Sequence, residues 1–549
     1  MTISTFNSNL DHLMEQAVQY FQSHYVQKYR DHIRNVQSLK ENEEFLGNVH
    51  LYSHIDTDGL CAASILSIAL KREEISYQIT ILKQLEEMYM DEIAATMQKN
   101  REFLFFLDFG SGQVKLISEY IKENAFIILD HHQPLSHENS SSLSGFHVNS
   151  YFAGVNGSKE ISGSGMAYLF AKKLRKDNVD LSPMAIIGAI GDHQNTGEQQ
   201  SVIGQNSVIL QDALDSKQII QDIEPLLPRT VSLPLGLANE LPGGLNLFDN
   251  DTQKSIYFLK KIGIKYEDDF GHPRFLPDLS SAEKTKLTSE LVKKFIAENT
   301  NTALSISNLL ITHYLLPQFE QYPEIYDAKD FSSMIDACGR SYLQSIGIAC
   351  CITQSNEIIL KGMEIAKQYS QKLQDAINWV MDGNKITYFK AINAFDGEEM
   401  ISELIIGVVS TILLDSSRID KNKPIIGYAP SGKENYKVSA RCSQELVEKG
   451  VDLSQAIRNT CTSLDLKSKG GGHPLAAGAF IPKELIRQFL SILDQQIQIQ
   501  LGEGFDNIAS AIPKKTKKKT KEKDTTPPSI DDEKLKSPRK KSKGLDTFF

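Results

Sequence analysis

Val49-His50-Leu51-Tyr52-Ser53-His54-Ile55-Asp56-Thr57-Asp58-Gly59 begins as a β-favouring apolar run and turns within a few residues to an imidazole and two acids. The same change recurs twice. Phe103-Leu104-Phe105-Phe106-Leu107 stops at Asp108, and Phe126-Ile127-Ile128-Leu129 stops at Asp130-His131-His132. Open parallel sheets carry their chemistry at the carboxyl ends of strands, so these runs predict an α/β sheet with one site along its edge. Three of the chain's 13 histidines, His54, His131 and His132, fall at these strand ends.

The residue types narrow the chemistry. Hard carboxylates with imidazoles and no thiolate suit Mn²⁺ or Mg²⁺ better than structural zinc. His54, Asp56 and Asp58 alternate in what reads as a strand-end loop, so one strand can feed two neighbouring ions. Asp108 ends a separate strand, where a bridging carboxylate would fit. A further acid, Asp192, ends Ile186-Ile187-Gly188-Ala189-Ile190-Gly191-Asp192, a stretch whose small residues allow close backbone approach. Two ions about 4 Å apart lower the pKa of a shared water and clamp both oxygens of an in-line phosphoryl displacement. Phosphodiester hydrolysis fits, and it needs no nucleophilic side chain.

Working outward, 549 residues exceed one core and suggest roughly three to four units. Asn9 is expected to cap an amphipathic helix over 9–30 within an N-terminal helical segment, 1–47. Short strands alternating with helices such as 60–71 and 165–175 predict β-α-β units and a catalytic domain over 48–200. That rhythm stops in 201–330, which reads as an inserted subdomain with a helix over 282–298. A connector over 331–383 contains one long helix, 357–381, ending at Gly383. A smaller α/β domain follows over 384–505, with segments 385–391, 424–429 and 436–440 and a helix through 401–414. The Lys-, Thr- and Pro-rich remainder, 506–549, predicts a disordered basic tail.

Charge divides along the same line. Residues 513–549 carry 13 Lys/Arg against six Asp/Glu, a balance of +7, so the net −10 of the chain leaves −17 on residues 1–512. An acidic body argues against coating of duplex DNA and leaves nucleic acid a local groove. No apolar stretch is long enough for a bilayer, no leader opens the chain, and six cysteines without Cys-x-x-Cys spacing read as reduced thiols. The expectation is a cytoplasmic protein with no membrane contact.

These motifs resemble the DHH phosphoesterase superfamily. His54-Ile55-Asp56-Thr57-Asp58-Gly59 looks like its His-x-Asp-x-Asp-Gly, and Asp130-His131-His132 like its namesake triplet. Gly470-Gly471-Gly472-His473 is similar to the signature of the DHH-associated domain. Leu107-Asp108-Phe109-Gly110-Ser111-Gly112-Gln113, Glu160-Ile161-Ser162-Gly163-Ser164-Gly165 and Lys437-Val438-Ser439-Ala440-Arg441 narrow it to archaeal RecJ-like nucleases of the GINS-associated type. The resemblance implies a parallel-sheet DHH domain joined by a long helix to a smaller α/β domain, and a single-strand-specific exonuclease using two Mn²⁺ or Mg²⁺ ions. It implies replication and repair work at the nucleoid, on single-stranded DNA or RNA.

By that resemblance His54, Asp56 and Asp108 hold one ion, and Asp58, Asp108, His131 and Asp192 the other. Asp130 would orient His131, and His132 would polarise or protonate beside the scissile phosphate. In the second domain the glycine run would form an anion nest flanked by Lys467 and Lys469, with His473, Ser439 and the Arg441 fork also on phosphate. Asp336-Ala337-Cys338-Gly339-Arg340 looks like the family's Asn-Ala-x-Gly-Arg with Asp for Asn, which leaves Arg340 as a further phosphate ligand. The insertion would dock a GINS subunit. At the end of the tail, Leu545, Phe548 and Phe549 resemble a PCNA-binding motif, with Ser542 where Gln is expected. The competing readings are a nanoRNase or cyclic-dinucleotide phosphodiesterase of the same superfamily, and an inactive replisome scaffold.

Overall fold

The computed structural model describes residues 7–35, 47–134, 143–239, 247–298, 309–353, 355–416, 419–466 and 470–502. They divide into two compact units, Met1–Asp375 and Ala376–Phe549.

The first unit is built on five parallel strands: β1 Val49–His54, β2 Tyr77–Leu82, β3 Phe103–Leu107, β4 Phe126–Asp130 and β5 Phe146–Asn149, in the order β2-β1-β3-β4-β5. The apolar runs that announced β3 and β4 are buried along their whole length, as strands covered by helices on both faces must be. Register aligns their ends. His54 lies opposite Leu82, Ser53 opposite Leu107, Leu107 opposite Leu129, and Asp130 opposite Asn149. His54, Asp108 and Asp130 therefore emerge along one edge.

Helix Thr57–Arg72 packs on helices Gly163–Leu174 and Ser182–Gly191 to cover the sheet. Two glycines make that approach possible. A Cβ on Gly163 would meet the Asp108 carboxylate at 2.6 Å, and one on Gly188 would lie 2.1 Å from Ser164 Oγ and 2.6 Å from Asp58 Oδ1.

The N-terminal segment departs from a single helix capped by Asn9. Helix Ser8–Phe21 is capped by Asn7, whose side chain accepts from the N–H groups of Asn9 and Leu10. A π-turn at Gln22–Val26 then leads into Gln27–Asn35. The extra residue per turn keeps both Phe21 and Tyr25 on the core, where they pack against Phe103.

Residues 204–219 still pack on the main core through Ile209, Leu210, Ala213 and Ile219. A separate small core runs from Leu226 to Ile311, closed by the antiparallel pair β6 Ile220–Pro225 and β7 Leu310–Leu315. Helix Ser281–Glu298 belongs to it. The long helix Asn356–Asp382 crosses from the first unit into the second.

The second unit has a six-stranded sheet in the order β12-β13-β11-β10-β9-β8, with β9 and β10 parallel and the other pairs antiparallel. Its strands are β8 Ile386–Tyr388, β9 Asn393–Asp396, β10 Ile425–Ser431, β11 Asn435–Arg441, β12 Gly471–Gly472 and β13 Ala476–Pro482. The stretch expected as one segment over 385–391 is broken by a turn in which Phe389 N–H donates to Ile392 O, while buried Asp494 accepts from the Ala391 and Ile392 N–H groups. The helix expected from 401 starts at Ile406, because 402–405 form turns.

Five cysteines are buried, Cys351 is half-buried, and none is in a disulfide. No helix among the described residues is long and apolar enough to cross a membrane. The tail, with Leu545, Phe548 and Phe549, lies outside the described residues, as do Lys467 and Lys469.

Candidate metal centre

The edge of the parallel sheet gathers every acid and imidazole singled out there. The expected strand-end loop is only the bend Ile55-Asp56, and Asp58 is already helical. Asp56 is the N-cap of helix Thr57–Arg72, accepting from Gly59 N–H at 3.1 Å, and Asp58 sits in its first turn. A carboxylate there is favoured by the helix dipole. Asp58 also accepts from Gly163 N–H at 2.6 Å and Ser164 N–H at 2.9 Å, the start of another helix. Asp108 follows β3 in a left-handed conformation, φ 61°, which turns its carboxylate between two groups. One oxygen lies 3.0 Å from His131 Nε2, the other 3.4 Å from His54 Nδ1.

Ligand-bearing atoms fall into overlapping clusters: His54, Asp56 and Asp108; Asp58, His131 and Asp192; and Asp108 with Asp130, His131 and His132. Within each cluster the atoms lie inside 4.8 Å of one another. Although His54 Nδ1 comes within 2.9 Å of Asp56, neither contact it makes has hydrogen-bond geometry. His54 Nδ1 and Asp108 Oδ2 are buried without a hydrogen-bond partner. Buried ligand atoms that face each other among acids without a hydrogen bond fit a cation site. The donor set, carboxylates and imidazoles without sulfur, fits hard divalent ions.

Electrostatics agree. Burial, then the neighbouring charge of Asp108, pushes the Asp58 carboxyl up to about 8. Burial also raises Asp192, with Asp108 adding to it and His131 opposing. Burial would lower His54 and His131, yet the surrounding carboxylates outweigh it and raise both well above the ordinary imidazole value. Burial likewise opposes ionisation of Asp56, but His54 holds it below the usual carboxylate range.

One expected role is corrected. Asp130 does not orient the His131 ring; Gly157 O does, 2.7 Å from His131 Nδ1. Asp130 Oδ1 instead takes His132 Nδ1 at 2.8 Å and the N–H groups of His131 and His132. At a strand end the carboxylate points along its own chain, so the histidine two residues on is within reach and the adjacent ring is not. Half-exposed His132 is thereby fixed and its basicity raised, against burial and His131, by Asp130.

Two supporting residues escaped the sequence reading. Gln194, fully buried, donates to Asp192 Oδ2 at 2.8 Å and to the same Gly157 O that holds His131. Exposed His193 has a left-handed backbone (φ 55°) that turns Gln194 inward, which no sequence pattern signalled. Ser111 donates its N–H to Asp130 Oδ2 at 2.8 Å, and its hydroxyl meets His147 Nε2 and Asn149 Nδ2. Burial drops the His147 imidazole to about 4, so it is neutral.

Arg340 ends helix Ala328–Arg340 and bonds Asp336 Oδ2 at 2.6 Å, so the Asp in place of Asn forms an ion pair. Its charge also acts on Asp56. In the second unit Arg441 Nε bonds Thr411 Oγ1 at 3.1 Å and another guanidinium nitrogen bonds Ala440 O, so part of the expected fork is already occupied. Ser439 is a neighbour on β11. The glycine run is partly held by the fold as an edge strand: Gly471 and Gly472 pair with β13, Gly470 (φ 61°) packs on Gly478, and His473 N–H donates to Ala476 O.

Known proteins share this arrangement of domains. Residues 48–191 match the model of the DHH family N-terminal domain, and 402–499 that of the DHHA1 domain. An uncharacterized protein of Methanocaldococcus jannaschii is 30% identical over 468 residues, covering 83% of this chain and 94% of its own. Among solved structures, a RecJ in complex with Mn²⁺ from Thermus thermophilus aligns at TM-score 0.51 and 13% identity over 90% of this chain, which spans 55% of that RecJ's length. CDC45 from Entamoeba histolytica aligns at 0.55 and 12% identity, over 88% of this chain and 99% of its own.

Proposed function

The chain belongs to the DHH superfamily as a RecJ-like protein, and from that premise we propose that it is a divalent-cation-dependent exonuclease of single-stranded DNA or RNA. The observation that carries the reading is the pair of buried ligand atoms without a hydrogen bond, His54 Nδ1 and Asp108 Oδ2, amid converging carboxylates and imidazoles.

His54, Asp56 and Asp108 would hold one Mn²⁺ or Mg²⁺ ion; Asp58, Asp108, His131 and Asp192 would hold the second. Such ions supply Lewis-acid polarisation of a phosphoryl oxygen and a water of lowered pKa. The remaining work falls to the chain. Gln194 and Gly157 O fix Asp192 and His131 in place. His132, held through Nδ1 by Asp130 and raised in basicity, is suited to carry a proton to the leaving oxygen. Arg340 adds a positive charge for the backbone phosphates, and in the second unit Ser439, Arg441, Gly470–Gly472 and His473 would bind phosphates of the strand.

Labelled single strands of DNA and RNA, marked at either end, test the reading in Mn²⁺, in Mg²⁺ and in chelator. Stepwise shortening only with metal is expected; intact strands under all conditions would sink it. The same proposal puts the protein at the replication fork, with 201–330 docking GINS and Leu545, Phe548 and Phe549 entering the PCNA clamp. Pull-downs with chains lacking either segment check those partners: each deletion should remove one partner only, and undiminished capture refutes that contact.

A further inference from the structure

Helix Ala328–Arg340 ends in a way that its sequence makes costly. Leu343 N–H donates to Cys338 O and Tyr342 N–H to Gly339 O, the two bonds of a Schellman stop. The residue between them must be left-handed, and glycine is the usual occupant because a Cβ is strained there. Here it is Tyr342, at φ 60°. The Schellman bonds fix the conformation, but a bulky residue is a costly choice for it.

The strained backbone displays the ring. Tyr342 is 60% exposed, although tyrosine carries a large apolar face. Among the described residues no aromatic ring packs on it; the Lys83 ammonium lies 5.2 Å from its centroid. Lys83 directly follows β2, whose last residue, Leu82, is registered with His54. Tyr342 itself stands two residues beyond Arg340, whose charge reaches Asp56, and Gly339 packs so closely on Ile55 that a Cβ would lie 2.1 Å from its carbonyl. An exposed ring and a cation thus meet at the rim of the metal centre, beside the His54–Asp56 end.

We propose that Tyr342, backed by Lys83, is a base-stacking platform that seats an unpaired nucleobase next to the reacting phosphate. The platform rests on the nuclease reading and adds a reason for single-strand preference. A stacked, paired base has both faces covered by its neighbours, whereas an unpaired base offers a face to the ring, and any base has one. Lys83 adds charge for the adjoining phosphate.

The full-length protein and its Y342G and Y342F variants test it. Y342G removes the ring and relieves the left-handed strain, so its melting temperature should equal or exceed that of the wild type. In Ca²⁺, anisotropy with a fluorescent single-stranded oligothymidylate should show Y342G binding roughly tenfold or more weakly, with Y342F within about twofold of wild type. On the same strand carrying abasic positions at its end, all three should bind alike. In Mn²⁺ the Y342G loss should appear chiefly in KM. Equal binding of the intact strand by Y342G and wild type, or an equal loss by Y342G on the abasic strand, overturns the platform. Tyr342-dependent binding without hydrolysis in Mn²⁺ or Mg²⁺ supports the platform and overturns the nuclease reading instead.

Discussion

The edge of the parallel sheet and the β11–β13 face of the second unit were both expected to hold phosphate chemistry, yet their polar groups are spent differently. At the sheet edge two ligand atoms, His54 Nδ1 and Asp108 Oδ2, are buried without a hydrogen bond and face one another, and the Asp58 carboxyl is pushed up to about 8. On the second face the candidate groups are integrated into the fold. Arg441 bonds Thr411 and Ala440 O, and the glycines pair with β13. A buried polar atom without a hydrogen bond is costly and is relieved when a cation binds it, whereas groups already bonded to protein are satisfied without one. On the proposed reading, the first region gains from a bound cation and the second offers its surface to the strand.

The largest effect should come from Asp108, which stands between both ligand clusters. Asp108→Asn should lower hydrolysis by more than about a hundredfold, beyond the loss typical of removing a group that merely supports a ligand. It should not unfold the protein. In chelator its melting temperature should match or exceed that of the wild type, because Asp58 loses its nearest like charge. Added Mn²⁺ should raise melting of the wild type and not of the variant. Substantial activity in saturating Mn²⁺ would show that Asp108 bridges nothing.

The sequence made the first region legible because strand ends and ligands coincide there. Apolar runs stopping at Asp108 and Asp130 name both the strand and the residue it delivers, and a parallel register does the rest. What stayed hidden depends on long-range folding. Gln194 reaches the site only because His193 adopts a left-handed turn, and Gly157 O orients His131 across 26 residues. The helical start at Thr57 was misread as loop because Asp56-Thr57-Asp58 has the look of a turn while acting as a capped first turn. In the second unit Gly470-Gly471-Gly472 suggested an anion nest, and its pairing with β13 depends on long-range folding that the run itself does not show.

A pH experiment sharpens the contrast by probing the layer behind the acids. Burial holds the His147 imidazole at about 4, below its ordinary 6.5, while its Nε2 meets Ser111. Because the folded value is the lower one, the unfolded chain binds the extra proton. His147 therefore leaves stability intact above pH about 6.5 and costs progressively more as pH falls towards 4, up to about 3 kcal/mol. Urea unfolding in chelator should show His147→Gln losing less stability than wild type between those limits. Parallel pH profiles for the two proteins would mean that His147 binds its proton equally in the folded and unfolded chains.

The smallest effect belongs to the second unit, and it decides whether the comparison holds. If that face only binds strand, Arg441→Ala and His473→Ala should each weaken single-strand affinity by about 1.5–3 kcal/mol, the worth of a charge-assisted contact. Metal content and the hydrolysis rate at saturating strand should not change. Arg441 also braces Thr411, so Arg441→Ala should melt below the wild type. Arg441→Lys separates the two roles: it keeps a charge for phosphate but loses the planar fork that reaches Thr411 and Ala440 O together. Affinity near wild type with a lowered melting temperature would assign Arg441 mainly to bracing the sheet. Loss of affinity in both Arg441 variants, with His473→Ala matching, marks the face as the strand-holding surface. A fall in saturated rate or in bound metal would instead break the division between the two regions, because it would make the second face part of the chemistry.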